Sequence, residues 1–474
     1  MKSGTQHSTQ LLMEVEEIPP TSSVASREEA CGRVATLLMR TTTDEKLIPI
    51  YRGKQVRVGR KPICEEVVLH SVVSNLHFTV YVVMFDDASQ PLVYCWDNSR
   101  NGTYHNGRII GTGNRVLLTD GDLIEIRHAC SFMFYQTNLT ANVPIDSILE
   151  ADRAVMENYN ISQRIIGRGT FGKVFLAVDK KTQKQLACKV IETGGSKSRM
   201  TKARTEVAIL ERLCHPNVVT VYDYHIIQDR IYILEDLITG GDLFSYLVKG
   251  DVLRPVPEAE ALVIVFQILK ALEYLHSKNV AHRDLKLDNI LLVSQQAGSR
   301  IVLVDFGISK YVDGQRRMTT VVGTPEFSAP EVGFADVHKG RSRRGYDIKC
   351  DIWSLGVVLH ILLSGISPFY DTSEKPSKIA RNARECQLNM TGPAWRHISL
   401  NAKDLVSQLI AVDPEERLSV TQCLSHPWIS MHMADLQTIY DTKITADWKV
   451  PGHKVAENDS MSGVYRFVNG TDGV

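Results

Sequence analysis

The run Ile166-Gly167-Arg168-Gly169-Thr170-Phe171-Gly172-Lys173-Val174 decides the architecture of the larger part of this chain. A G-x-G-x-x-G spacing alone fits a dinucleotide-binding turn or a glycine-rich hairpin. The flanks separate the two. A dinucleotide turn passes from strand into helix, whereas residues 173–178 continue as an apolar strand. Such a hairpin lets backbone amides approach phosphate oxygens without side-chain clash. Seventeen residues beyond Gly172, the strand Ala187-Cys188-Lys189 carries a lysine among apolar neighbours. A cation there needs an acidic partner. In Thr205-Glu206-Val207-Ala208-Ile209-Leu210 the apolar spacing favours Glu206, with Glu211 the alternative.

Downstream, His282-Arg283-Asp284-Leu285-Lys286-Leu287-Asp288-Asn289 and Asp305-Phe306-Gly307 supply the groups that phosphoryl transfer needs. Asp284 would accept the proton of an attacking hydroxyl, and Lys286 would neutralise the moving phosphoryl group. Asn289 and Asp305 offer hard oxygen donors to Mg2+. Gly323-Thr324-Pro325-Glu326-Phe327-Ser328-Ala329-Pro330-Glu331 closes the loop that begins at Asp305. In this order the elements resemble the eukaryotic protein kinase family over residues 159–429.

The resemblance implies a two-lobed α+β fold that uses ATP and Mg2+. It makes Lys189, Glu206, Asp284 and Lys286 catalytic, and Asn289 and Asp305 metal ligands. It puts Ile166, Gly167, Gly169, Gly172, Val174, Lys189, Asp236 and Leu237 around the nucleotide. Lys286 and Thr324-Pro325-Glu326 point to serine and threonine substrates. Glu331 is expected to pair with Arg417, and Asp351 to support the catalytic-loop backbone. Arg283 beside the base calls for an anion, which phosphorylation of Thr320, or alternatively Thr319, would supply. Thr324 would either be phosphorylated or bond Asp284 and Lys286. Aligning Gly240-Gly241-Asp242 on the family puts Glu235 at the back of the adenine pocket, where most members carry an apolar residue. Asp242 would select a basic residue upstream of the phosphoacceptor, or serve as a helix N-terminal acid.

Residues 34–135 read differently. Short alternating or apolar runs, such as Phe78–Met84 and Leu92–Trp96, are divided by Asn101-Gly102, Asn106-Gly107 and Asp120-Gly121. Strands with such turns signal an all-β sandwich. Val58-Gly59-Arg60, Ser74-Asn75-Leu76-His77 and residues 97–107 sit on its turns. The set resembles the forkhead-associated (FHA) domain, which binds phosphothreonine peptides through loops at one end. The match covers 34–137. By resemblance Arg60 and Ser74 contact phosphate, Asn75 and Asn101 hold the peptide backbone, and Arg100 touches the ligand. The chemistry agrees, because arginine presents a fork of donors to phosphate. His77 and Gly59 are expected to stabilise the loops.

The remainder sets bounds. The 474 residues carry 54 Lys+Arg against 54 Asp+Glu, which argues against a general nucleic-acid coat and leaves room for a local basic patch. Nine scattered cysteines without C-x-x-C spacing fit a reducing compartment. No stretch is apolar for the roughly 18 residues of a membrane span. Residues 1–33 read as a flexible tail with two Thr-Gln pairs, 138–158 as a linker with a short helix over Ile148–Met156, and 430–474 as a C-terminal tail. The basic segment 338–344 reads as a solvated insertion, with an acidic partner or a nuclear signal the alternatives. The multidomain whole resembles the checkpoint effector kinases of the calmodulin-kinase-like group, and within them the fungal meiosis-specific branch. That implies a nuclear kinase without direct nucleic-acid or membrane binding. Its phosphothreonine partner would be a meiotic chromosome axis protein, its substrates would carry basic residues upstream of Ser or Thr, and it would form a transient homodimer during activation. The alternatives are a general DNA-damage checkpoint kinase and a catalytically dead phosphopeptide scaffold.

Overall fold

The computed structural model describes residues 32–85, 90–137, 153–169, 172–195, 210–249, 252–305, 325–332, 344–370, 376–386 and 388–446, with single positions 200, 204, 207, 448 and 450. Residues 32–137 form a sandwich of two sheets. One has the strand order β2-β1-β11-β10-β7-β8, with β1 at Arg33–Arg40, β2 at Glu45–Tyr51, β7 at Tyr104–His105, β8 at Arg108–Ile109, β10 at Leu123–Ile126 and β11 at Cys130–Gln136. The other runs β4-β3-β5-β6-β9, with β3 at Val56–Gly59, β4 at Glu66–Val67, β5 at Phe78–Val83, β6 at Leu92–Asp97 and β9 at Arg115–Leu117. Phe78, Val80 and Val82 of β5 meet Phe132 and Phe134 of β11 in the core between them. Successive strand residues point to opposite faces, so Tyr81 and Val83 point out of the sandwich. They are buried all the same, against the second domain.

That domain opens with a sheet in the order β12-β13-β14-β16-β15, formed by Tyr159–Gly169, Gly172–Asp179, Gln185–Glu192, Arg230–Asp236 and Val221–Ile227. Gly169 pairs with Gly172 across the glycine hairpin. A Cβ on Gly172 would lie 1.9 Å from the Val190 carbonyl, so the close strand approach requires glycine there. Below it lies a helical lobe built on Glu258–Ser277 and Arg344–Ser364, whose apolar residues form one large core. Among the described residues, no helix is long and apolar enough to cross a membrane.

Two segments differ from the sequence reading. Residues 430–446, read as the start of a tail, continue the packed lobe through the helix Met433–Ile439 and a π-turn over Tyr440–Ile444. Leu436, Tyr440 and Ile444 are buried there. The Tyr440 hydroxyl donates to Asn217 Oδ1 at 2.7 Å, and its ring meets Phe266 edge-on. Their spacing along a polar segment hid this anchor. Of the linker helix expected over Ile148–Met156, residues 148–152 lie outside the described residues; a helix is observed at Arg153–Asn158, with Val155 buried against β12 and its neighbours.

Candidate active site

Strand pairing determines what faces the cleft. Lys189 lies opposite Val174 and Ile233, and Ala187 lies opposite Leu176 and Glu235. Paired residues and alternate residues of one strand share a face. Val174, Leu176, Ala187, Lys189 and Glu235 therefore line one side of the sheet, facing the helical lobe. Cys188 and Leu234 pack on the opposite side.

Lys189 is buried and bonds the carboxylate of Asp305. Burial works against its charge, but Asp305 beside it outweighs that and holds the ammonium above its ordinary value. Burial likewise opposes the charge of Asp305, and Lys189 reverses the effect, keeping that carboxylate below its ordinary range. The sequence-favoured partner Glu206 lies outside the described residues, as do Phe306, Thr319, Thr320, Thr324 and the basic segment 338–343. Burial pushes the Glu235 carboxyl up to about 8, against the pull of Lys189, so it is largely protonated at neutral pH.

The catalytic loop is held from below. Asp351 accepts from the backbone N–H of His282 at 2.9 Å and of Arg283 at 2.8 Å, and meets His276 at 2.9 Å. This is the supporting role expected of it. Arg283 and Asp305 both take positive φ, 65° and 58°. Left-handed non-glycine residues are costly and persist where the surroundings over-determine them. Asn289 Nδ2 donates to the Asp284 carbonyl at 2.7 Å and to Asp284 Oδ2 at 2.9 Å. Lys286 Nζ stands 3.6 Å from Asp284 Oδ2. Asp284, Lys286, Asn289, Asp305 and Lys189 thus converge on one cleft. Ile166 and Ala187 are buried at its upper rim, and Val174, Asp236 and Leu237 are part-buried around it. The Asp236 side chain turns outward to Tyr222 and Lys184, each at 2.8 Å.

Two further expectations are resolved. Arg417 grips Glu331 through two bonds of 2.7 and 3.1 Å. Asp242 is buried and caps the helix Leu243–Leu247, accepting from Ser245 N at 2.6 Å. Of its two readings, the helix-terminal one is observed.

At the end of the sandwich away from the kinase, Arg60 N donates to the Ser74 carbonyl at 2.9 Å and Arg100 N to Ser74 Oγ at 3.1 Å. Asn101 Nδ2 is fixed on the Val72 carbonyl at 2.8 Å. The structure therefore brings Arg60, Ser74, Asn75, Arg100 and Asn101 together. The side chains of Arg60, Asn75, Arg100 and Asn101 are exposed. Lys61, beside Arg60 and bonded through its N–H to the Asn75 carbonyl at 3.2 Å, is a further exposed cation that the motif reading missed. Buried His77 accepts from Ser74 N at 3.0 Å through Nδ1, so Nε2 carries the proton toward the Gly102 carbonyl at 3.4 Å. Burial lowers its pKa, which keeps it neutral. A Cβ on Gly59 would lie 2.3 Å from the Asn75 carbonyl. Both residues stabilise the loops, as expected.

Sandwich, two-lobed domain and cleft define a protein kinase with an N-terminal phosphopeptide-type module. The family described as protein kinase domain matches residues 160–429, and the FHA domain family matches 56–127. The chain belongs to the protein kinase family, as an FHA-containing serine/threonine kinase, and most of its length is similar to fungal meiosis-specific kinases. It is 39% identical over 442 residues to the meiosis-specific serine/threonine-protein kinase mek1 of Schizosaccharomyces pombe, covering 92% of this chain and 95% of that one. It is 41% identical over 435 residues to the meiosis-specific serine/threonine-protein kinase MEK1 of Saccharomyces cerevisiae, covering 86% and 87%. Rad53 1-466 in complex with AMP-PNP matches at TM-score 0.49 and 26% identity, covering 84% of this chain and 100% of that one. A protein kinase domain uses ATP and a divalent metal.

Proposed function

We propose that this kinase is recruited to phosphothreonine on a meiotic chromosome axis protein in the nucleus, and there directs double-strand-break repair toward the homologous chromosome. The observation that carries the reading is the paired coverage of FHA and kinase domains by two meiosis-specific relatives. Residues 34–137 would be the reading domain and 159–429 the catalytic one.

In the cleft, Asp284 orients the substrate hydroxyl and takes up its proton, Lys286 neutralises the transferred phosphoryl group, and Lys189 holds the α- and β-phosphates. Asn289 and Asp305 supply two hard oxygen donors. They suit Mg2+, which takes its other ligands from phosphates and water. When bound, the ion screens charge between the phosphates. The glycine hairpin, with Gly167, Gly169 and Gly172, covers the phosphates, and Ile166, Val174, Asp236 and Leu237 enclose the adenine. The fixed Lys189–Asp305 pair and the Asn289–Asp284 bonds support these roles. Recruitment raises the local kinase concentration, as tethering does, so a transient homodimer phosphorylates Thr320 in trans, with Thr324 a second acceptor. Substrates carry basic residues upstream of the phosphoacceptor.

The test is loop phosphorylation in meiotic cells. Arg60→Ala should abolish chromosome association and Thr320 phosphorylation together. Full Thr320 phosphorylation in that variant would sink the coupling.

A further inference from the structure

In the sheet β4-β3-β5-β6-β9, the central pair β5–β6 is buried on both faces. Its inner face is sandwich core. Its outer face carries Tyr81, Val83, Leu92, Tyr94 and Leu117, and these form one apolar cluster with Ile166, Leu176 and Ala187 of the kinase. Leu117 is 0% exposed and Tyr94 1%. An outward face this apolar would be a large exposed patch if the sandwich were merely tethered.

Polar anchors reach both lobes. On the upper lobe, Gln185 accepts from Leu117 N at 2.7 Å and donates to its carbonyl at 3.0 Å, a two-bond clasp of one backbone unit. Arg164 donates to the Leu118 carbonyl at 2.7 Å and the Pro91 carbonyl at 3.3 Å. Past the hinge, the Tyr81 hydroxyl donates to the Thr239 carbonyl at 3.3 Å. On the lower lobe, Gln295 donates to the Val82 carbonyl at 3.3 Å. The sandwich therefore spans the two bodies whose relative movement opens and closes a kinase cleft.

We propose that the outer face of this sheet is a strap across the hinge, which holds the lobes in the nucleotide-binding arrangement and makes the sandwich a positioning element of the ATP site. Leu176 and Ala187 link the two functions. They pair directly across β13 and β14, so the sandwich packs on the same apolar surface that continues to the adenine rim. Preorganised lobes spend less of the nucleotide's interaction energy on ordering the cleft. Docking leaves the phosphopeptide loops clear. Those loops follow the Phe78–Asp97 end of the β5–β6 pair, whereas the strap uses the Val83–Leu92 end. Peptide reading and strapping can coexist.

The experiment uses the full chain. Arg164→Glu combined with Gln185→Lys removes the upper anchors and leaves the sandwich sequence intact. Small-angle scattering should show a larger radius of gyration. ATP affinity, by fluorescence titration, should weaken about five- to tenfold, with phosphothreonine-peptide affinity unchanged. An expanded chain with parental ATP affinity would overturn the strap, and so would an unexpanded one. Should the double variant fail to fold, Tyr81→Phe with Gln295→Ala removes only the hinge and lower-lobe bonds. It should weaken ATP binding two- to threefold, and parental affinity in that variant would refute the proposal. The peptide arm reports separately on phosphothreonine reading.

Discussion

The two sheets of the sandwich were built by the same strand chemistry and given different surroundings. In β11 the burial alternates, and outward residues such as Tyr135, at 45% exposure, and Leu47 of β2, at 63%, meet solvent. In β5 every residue is buried. The difference teaches that an FHA sandwich can present one sheet to water, one end to a phosphate, and the other sheet to its own catalytic domain. Three jobs are kept apart by strand direction and side-chain alternation.

Five measurements sharpen or break that comparison, from the largest effect to the smallest. Asp284→Ala should lower phosphoryl transfer to a basic Ser/Thr peptide by at least about 1000-fold, since positioning and proton acceptance are lost together. Its phosphothreonine-peptide affinity should stay at the parental value, and comparable transfer rates would remove Asp284 from the mechanism. Tyr94→Ala, on the strapped face, should cost about 2–4 kcal/mol of stability in chemical denaturation. Tyr135→Ala, on the wet face, should cost no more than about 0.5 kcal/mol. Equal losses would erase the distinction between the sheets.

Arg60→Ala should weaken phosphothreonine-peptide binding on the order of 100-fold by calorimetry, from loss of a charge-assisted contact. Peptide phosphorylation in dilute solution should be unaffected. A fall in both would tie the loop end to the cleft. Acidification should load both halves, through buried His77 in the sandwich and His215, His282 and His360 in the kinase, and the kinase more. Burial pushes His215 and His360 of the kinase down to about 4, so each stays neutral when folded. Below about 6.5 the unfolded chain binds those protons and the folded chain does not, so stability falls as pH drops toward 4. The kinase transition in scanning calorimetry should therefore lose more between pH 7 and pH 5 than the sandwich transition. The reverse order would contradict the buried neutral histidines. Last, Glu235→Gln should change the KM for ATP by less than about threefold at pH 7, because a protonated carboxyl and an amide are alike in shape and neutrality. A larger change would mean that Glu235 carries its charge against the adenine pocket.

Most of the chemistry was legible in the chain. Lys189, Asp284, Asn289 and Asp305 sit in short motifs whose residue types are dictated by phosphate and metal, and Arg60, Ser74 and Asn101 sit on turns where polar side chains have no packing role. What escaped reading depends on distant partners. The bond from Lys189 to Asp305 joins residues 116 apart in sequence. Asp242 could be read as a selector of basic substrates or as a helix N-terminal acid, and the 2.6 Å bond to Ser245 N shows the second role. Tyr440 lies in the segment read as a tail, and its role depends on Asn217, 223 residues earlier. Phe78–Met84 reads as a strand, but its burial on both faces over Phe78–Val83 appears only in the tertiary structure.

The sequence by itself determined two domains, their fold classes and the reacting groups, because turn residues, strand alternation and charged residues in apolar strands are local signals. Tertiary structure alone decided that the β5–β6 face lies across the kinase hinge. No local pattern encodes which surface covers another. That choice rests on complementary apolar area and on backbone carbonyls, at Leu117, Leu118 and Val82, which every residue carries and no sequence motif marks.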